Sequence, residues 1–237
     1  NESDGLMNKS NAQTAYNFDY RFAKSPNPPN VTVVPEDGKV TLYWDTNAED
    51  SYDAFMGEIG ENPYEFEGYK IYRATDWEFN DAYKITDGDG NPTFFKPYEQ
   101  NEQPARWDKI DGKTGWHPID MNGARFYLGD DTGLQHSYVD YDVVNGQTYY
   151  YAVVSYDHGD AELVVAPAEC SKTITVNPET NEVLLDVNTV AIVPKAPTAG
   201  YVASSINEPG LEHIQGKGTG DVLVEIIDNT EPEDENS

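Results

Sequence analysis

Short stretches that alternate apolar and polar residues, separated by turn-forming residues, run along the middle of this 237-residue chain. They are rich in Tyr, Val and Thr, and they read VTVV at 31–34, VTLYW at 40–44, GYKIYRA at 68–74, ARFYLG at 124–129, SYVDYDV at 137–143, TYYYAVVSY at 148–156 and CSKTITV at 170–176. A period of two places successive side chains on opposite faces of a β-strand. Between them, DWEFNDAYKI at 76–85 predicts one short helical turn. The pattern therefore predicts an all-β protein.

The turn signals indicate how these strands connect. Asp37-Gly38 separates VTVV from VTLYW, and this dipeptide between two alternating runs predicts a β-hairpin. Since no helical segments are available to connect parallel strands, the strands are expected to form an antiparallel β-sandwich.

The strand pattern resembles that of a fibronectin type III domain, an immunoglobulin-like β-sandwich, over residues 28–176. VTVVPEDGKVTLYWD is similar to strands A and B, with Trp44 in the place of the family's buried tryptophan, and GYKIYRA is similar to strand C. VVNGQTYYYAVVSYD resembles the E–F turn and strand F, and AECSKTITV would then be strand G. Tyr-rich alternation also occurs in other sandwiches, so a different sandwich topology is the alternative.

Strand F carries the most specific part of the resemblance. Tyr149 takes the place of the family's tyrosine corner, whose ring packs in the core while its hydroxyl bonds a backbone group upstream. Period-two geometry on this strand predicts two sets of side chains. Tyr149, Tyr151, Val153 and Ser155 are expected to face inward, and Tyr150, Ala152 and Val154 outward.

Three further segments are predicted, one inserted within this domain and one on either side of it. Residues 75–135 form a long insertion between strands C and E, with enough strand-like sequence for an inserted β-hairpin region. Residues 1–27 are a polar extension with a possible added strand at 16–22. In the C-terminal segment, 177–237, a strand at 182–193 is expected to pair with the sandwich edge, and 220–228 is expected to open a following domain before an acidic tail.

The net charge of the chain argues against nucleic acid and anionic membranes as binding partners. Fifteen Lys and Arg against 43 Asp and Glu give −28, a field that repels nucleic acid and anionic lipid surfaces. No run approaches the roughly 18 apolar residues of a membrane helix, so no direct membrane insertion is expected. Cys170 is the only cysteine, which excludes an intrachain disulfide, and no Cys/His cluster has zinc spacing.

Two acidic loops point to calcium, because the B–C and F–G loops of this family meet at one end of the sandwich. Carboxylate oxygens gathered at one rim are the ligands that Ca²⁺ prefers. The candidate ligands are Asp45, Asp50, Asp53, Asp157 and Asp160. The alternative is that these loops are solvated and separate. ITDGDGNP at 85–92 is excluded as an EF-hand by Pro92 and Tyr98, and it predicts a tight hairpin turn instead.

The insertion supplies a second candidate site. Trp77, Trp107 and Trp116 could form an aromatic platform on which sugar rings stack, or they could bury one another in a satellite core. No catalytic motif accompanies them: there is no G-x-S-x-G or HExxH, and 210–220 departs from a phosphate loop. The abundance of carboxylates alone does not indicate acid–base catalysis.

The resemblance to modules of large secreted bacterial surface proteins implies a function. The chain is expected to be a non-catalytic extracellular structural or interaction module of a secreted or cell-surface multidomain protein. Its partners would be other proteins or neighbouring domains, with the strands at 16–22 and 220–228 available for strand addition. One alternative is a carbohydrate-binding accessory module that binds glycans through the insertion's aromatic residues. Another is a calcium-stabilised adhesion module, for which Ca²⁺ would be the cofactor.

Overall fold

A computed structural model describes residues 23–87, 89–121, 123–177, 179–180 and 182–197. These residues form antiparallel strands and, within the same ranges, one short helix, α1 (Ala54–Ile59). The strands are β1 (Val31–Glu36), β2 (Lys39–Trp44), β3 (Phe66–Ala74), β4 (Ile85–Thr86), β5 (Pro92–Phe94), β6 (Glu99–Gln100), β7 (Gln103–Pro104), β8 (Arg106–Asp108), β9 (Trp116–Met121), β10 (Ala124–Tyr127), β11 (Ser137–Asp140), β12 (Tyr149–Asp157), β13 (Ile174–Val176), β14 (Val183–Leu185) and β15 (Thr189–Ile192). The predicted all-β class is confirmed.

Two larger sheets organise the described residues. One has the order β1-β2-β11, the other has the order β15-β12-β3-β8, and all neighbours are antiparallel. β1 and β2 pair so that Glu36 lies opposite Lys39, leaving Asp37 and Gly38 as the loop. The hairpin predicted from this dipeptide is therefore confirmed.

The main hydrophobic core lies between these two sheets. It combines side chains of β2, β3 and β12, namely Val40, Leu42, Trp44, Tyr69, Ile71, Tyr149, Tyr151 and Val153. The set contains Trp44 and the first three residues that were predicted to face inward from β12. The Tyr149 hydroxyl accepts a hydrogen bond from the backbone N–H of Val144, five residues upstream, at 3.0 Å. The predicted tyrosine-corner contact is therefore present.

The opposite face of the four-stranded sheet is covered as well. Ala152 and Val154, predicted to face outward, pack there against Tyr72, Cys170 and Ile174. A second contact forms where Phe126 and Leu128 pack on Tyr156. β12 is consequently buried on both faces, and its outer face supports a further layer made by the insertion and by the chain after β12.

The assignment of strand G requires a correction. Only the start of the predicted segment 168–176 lies beside β12, where Cys170 N–H donates to Ser155 O at 2.9 Å. The chain then leaves the edge to form the β13–β14 hairpin. It returns at Asn188, whose side-chain amide donates to the carbonyls of Val153 and Ser171 at 3.1 and 2.8 Å. The strand expected at 182–193 is divided: its first part is β14, and only its second part, β15, pairs with β12 at the sheet edge.

Two local predictions have different outcomes. The segment 76–85 forms turns and no helix, while α1 arises at a position with no helical pattern. α1 begins where the Asp53 carboxylate accepts from the N–H groups of Phe55 and Met56, a capping contact that can start even a short helix. The predicted turn at 85–92 joins β4 to β5.

The described residues leave out four of the predicted segments. They are the candidate strands at 16–22 and 220–228, the segment 210–220 and the acidic tail.

Candidate functional site

A cleft lies on the outer face of the four-stranded sheet, over the middle of β3. Its volume is about 320 Å³, within the size range of small-ligand sites. β3 contributes Lys70 and Tyr72 to its lining, and the β9–β10 hairpin contributes Trp116, Arg125, Phe126 and Tyr127. The segment around β5 adds Phe94, Phe95 and Lys96, and β8 adds Arg106. The insertion therefore builds most of the cleft, and the sheet supplies its base.

A buried ion pair forms the base of the cleft. Lys70 Nζ lies 3.0 Å from Glu169 Oε1, and the two side chains are 6% and 20% exposed. The Tyr72 hydroxyl also contacts this carboxylate, at 2.8 Å from Oε1 and 2.9 Å from Oε2. The Lys70 ammonium lies 3.5 Å from the centre of the Phe126 ring and 4.2 Å from that of Tyr156, so two aromatic faces compensate part of its lost hydration.

The environment of Lys70 affects its protonation. Burial lowers the pKa of Lys70 to about 8, against the opposing attraction of Glu169. The amine remains mostly protonated at neutral pH, and its charge is offset by the adjacent carboxylate. The base of the cleft is therefore close to neutral and is held in place by three side chains.

Three cationic side chains lie at the rim of the cleft, and two of them have an ionic partner among the described residues. Lys96 pairs with Glu99 at 2.7 Å, and Arg106 pairs with Asp130 at 3.0 Å while stacking 4.2 Å from the centre of the Tyr127 ring. Arg125 is exposed, and no residue in the described ranges forms an ion pair or hydrogen bond with its side chain. The rim thus contains one guanidinium without a partner among the described side chains.

Aromatic rings complete the rim. Trp116 is 63% exposed, and Tyr127 contacts it edge to face, with ring centres 4.8 Å apart and an interplanar angle of 82°. The Tyr127 hydroxyl donates to the carboxylate of Asp130, which also pairs with Arg106. The position of the Trp116 ring is therefore supported by a connected set of side chains, and much of its surface remains available to a ligand.

The three tryptophans of the predicted platform do not lie together. Trp116 lines the cleft, whereas Trp77 lines a neighbouring depression with Phe95 and Lys172. Trp107 packs against the main core, with its ring centre 5.6 Å from that of Trp44. The single platform is wrong as a geometric prediction, because β8 places Trp107 on the inner side of the sheet. Phe95 lines both the cleft and the depression beside Trp77, so the two are adjacent.

The five predicted calcium ligands are not gathered at one point. Asp45 bonds Asn30 through both carboxylate oxygens, and Asp160 accepts from the N–H groups of Glu162 and Leu163. Asp50 is exposed. Asp53 and Asp157 do line one small depression. In the described part of the chain, no group of three or more His, Cys, Asp and Glu side chains could hold a metal ion.

That small depression includes Glu65, an acid that no sequence pattern indicated. The pKa of Glu65 is raised to about 7, mainly by burial and also by the charges of Asp53 and Asp160. Burial likewise raises the pKa of Asp157 to about 7, although the N–H of Ala168 donates to its carboxylate at 2.8 Å. The pKa values of these two acids are therefore both raised, whereas the Asp53 carboxylate caps α1.

Sequence reasoning missed the charged residues of the cleft. One available signal was Lys70 in the middle of the strand-like run GYKIYRA, because a lysine on a strand buried on both faces needs a partner. No comparable signal marked Glu169, Arg106 or Arg125. Their proximity depends on how the insertion and the segment after β12 fold over the sheet.

Comparisons with known proteins identify no relative. No protein-family model matches the chain, and neither a curated protein nor a solved structure matches it significantly. None of the helices in the described ranges has the length and apolar character needed to cross a membrane.

Proposed function

We propose that this chain is a non-catalytic extracellular interaction module, built on a fibronectin type III-like sandwich, that holds its partner in the cleft on the outer face of the four-stranded sheet. The observation that carries the proposal is the cleft itself. Four of the chain's 15 cationic side chains line it, namely Lys70, Lys96, Arg106 and Arg125, in a protein with a net charge of −28. These four cations outnumber the two carboxylates in the lining, Glu99 and Glu169, and they lie next to exposed aromatic surface, an arrangement that suits recognition of a ligand.

The strand order supports the fibronectin-like part of the proposal. β1, β2 and β11 lie in the order expected for strands A, B and E, and β15, β12 and β3 in that expected for G, F and C. Trp44 and Tyr149 occupy the core positions that the resemblance implies. The insertion then replaces the short connection between C and E, and it is the insertion that forms the cleft.

The contacts of the ionisable groups favour binding over catalysis. Lys70 has a lowered pKa, which suits a nucleophile, but its side chain is only 6% exposed and is engaged with Glu169. The Glu169 carboxylate is in turn engaged by Tyr72. A group that must attack or deprotonate a ligand needs access to it, and these three side chains have contacts that hold the base of the cleft.

The extracellular assignment rests on the resemblance and on surface charge. A strongly acidic surface keeps a protein soluble and resists non-specific adhesion, which suits a module exposed outside the cell. Partners would be other proteins or neighbouring domains of a surface assembly, or glycans displayed there.

The test is to screen the full chain against a glycan array and a peptide array, and to map each bound ligand by hydrogen–deuterium exchange. We expect protection in 94–106 and 116–127, together with loss of binding in Trp116→Ala. Trp77→Ala is the matched control, since this partly exposed tryptophan lies in the neighbouring depression. Ligands that protect only other segments would refute the role of the cleft, and chemical conversion of a bound ligand would refute the non-catalytic assignment.

A further inference from the structure

We infer that the ligand of the cleft is an acidic sugar, a pyranose ring carrying one carboxylate, with Trp116 stacking on the ring and Arg125 binding the carboxylate. This inference rests on the proposed function, because it names the ligand class of the same cleft. It follows from the partners of each cation, the open aromatic surface, the charge of the whole chain and the dimensions of the cleft.

Among the cations that line the cleft, Arg125 alone has no ionic partner within the described part of the chain. Lys70, Lys96 and Arg106 are each paired with a carboxylate. Asp120 lies opposite Arg125 in the β9–β10 register, but its carboxylate accepts from the N–H of Gly123 at 2.8 Å. A guanidinium can bind a carboxylate through two parallel hydrogen bonds, a geometry that an amine does not offer.

Trp116 provides the surface for the ring. It belongs to β9, which pairs with the strand that carries Arg125, so one hairpin presents both groups. Its edge-to-face contact with Tyr127 supports the indole from one side and leaves it 63% exposed. An apolar aromatic face combined with a few placed polar groups is the usual composition of a site for a small amphipathic ligand, such as a sugar.

The charge of the chain limits the ligand to an isolated acid. At physiological salt a charge is felt over about 8 Å, so a single carboxylate beside Arg125 is governed mainly by that guanidinium, since the other cations of the cleft are paired. A long polyanion would extend over a surface dominated by the 43 Asp and Glu residues and would be repelled there. The cleft is therefore suited to a terminal or isolated uronic acid and not to a densely charged polymer.

The form of the cleft favours a sugar over an acidic peptide. Its base is the face of a sheet, formed by the Lys70 and Tyr72 side chains, and not a free strand edge to which a peptide could add. Its volume of about 320 Å³ lies at the lower end of ligand sites and suits one or two sugar rings.

The experiment measures binding to the full chain by isothermal titration calorimetry with three probes: digalacturonate, its neutral dimethyl ester, and a pentapeptide of Asp and Glu. We expect digalacturonate to bind at least about tenfold more tightly than the ester, since a hydrogen bond to a charged group contributes about 1.5–3 kcal/mol. Arg125→Gln should remove that preference, and Trp116→Ala should weaken both sugars. Lys39→Gln is the matched control, because it removes a partly exposed cation that pairs with Glu36 away from the cleft.

The other outcomes separate the inference from the proposed function. Equal binding of acid and ester, no binding of digalacturonate, or an unchanged preference in Arg125→Gln would overturn the acidic-sugar assignment. Binding of the acidic peptide alone, with loss in Trp116→Ala, would overturn the sugar class and leave the cleft as the interaction site. Binding of digalacturonate that neither cleft variant changes would overturn both.

Discussion

The inner and outer faces of the four-stranded sheet are built on the same two central strands but differ in chemistry. On the inner face, Tyr69, Ile71 and Tyr151 join an apolar core that is shared with the other sheet. On the outer face, Lys70 and Tyr72 lie beneath a layer folded from the insertion and from the chain after β12. Neighbouring residues of one strand thus face a closed core on one side and an open cleft on the other.

The polar side chains of the two faces differ in how completely they are paired. On the inner face one carboxylate is fully paired: Asp140 accepts from Arg73, Tyr98 and Tyr151 at 2.7–2.9 Å. On the outer face Lys70 is paired with Glu169 at the base of the cleft, but at the rim Arg125 has no ionic partner among the described residues and Trp116 is 63% exposed. The first arrangement stabilises the fold, whereas the second preserves a surface.

The largest expected effect comes from breaking the inner network. Asp140 is fully buried, and its replacement in Asp140→Ala leaves the Arg73 guanidinium and two tyrosine hydroxyls without their shared acceptor. We expect a loss of about 3–5 kcal/mol in the free energy of unfolding, measured by urea denaturation. Asp142→Ala is the control, because this carboxylate also pairs with Arg73 but is 75% exposed, and it should cost about 1 kcal/mol or less. Equal losses in the two variants would contradict a closed inner network.

A smaller effect is expected from the base of the cleft. Glu169→Ala leaves the Lys70 ammonium buried without its carboxylate, and because Glu169 is partly exposed we expect a loss of about 2–3 kcal/mol. Adding Lys70→Met removes the unpaired charge and should recover most of that loss, since a methionine fits a similar volume among the same aromatic rings. The same denaturation experiment checks both variants. If the double variant is no more stable than Glu169→Ala, Lys70 is not the source of the cost.

How much of this could be read from the sequence also differs between the faces. The inner face follows from local pattern: period-two alternation in GYKIYRA and TYYYAVVSY determines which residues face the core, and Asp37-Gly38 determines one hairpin. Tyr149 was placed correctly because its ring and its bond to Val144 depend on residues only five apart. Geometry that depends on residues so close in sequence leaves few alternative placements of a side chain.

The outer face depends on long-range packing that no local pattern encodes. Lys70 and Glu169 are separated by 99 positions, and only the path of the chain after β12 brings them together. The interruption of the predicted strand G has the same origin, since the chain leaves the sheet edge at β13 and β14 and returns to it at Asn188. Trp107 was misplaced because the position of β8 beside β3 is set by the fold of the whole insertion.

The smallest expected effect concerns Glu67, which lies where the register of β3 against β12 shifts. Its side chain is buried, and neither carboxylate oxygen has a hydrogen-bond partner among the described residues. The pKa of Glu67 is raised to about 8, mainly by burial and also by the charge of Asp111, against the opposing charges of Lys113 and Lys109. An unfolded glutamate has a pKa of about 4.3, so between these values the folded chain binds more protons than the unfolded chain.

It follows that the Glu67 contribution to stability is complete below about pH 4 and declines as pH rises to about 8. Thermal unfolding followed by circular dichroism at pH 6 and pH 8 should show a melting temperature that falls less in Glu67→Gln than in the unmodified chain. Taking the difference between the two proteins removes the contributions of the other titrating groups, which both share. Glu61→Gln, at an exposed position, should leave the pH dependence unchanged. If Glu67→Gln has the same slope as the unmodified chain, the Glu67 carboxylate is ionised in the folded state, and β3 is more hydrated at this point than its burial indicates.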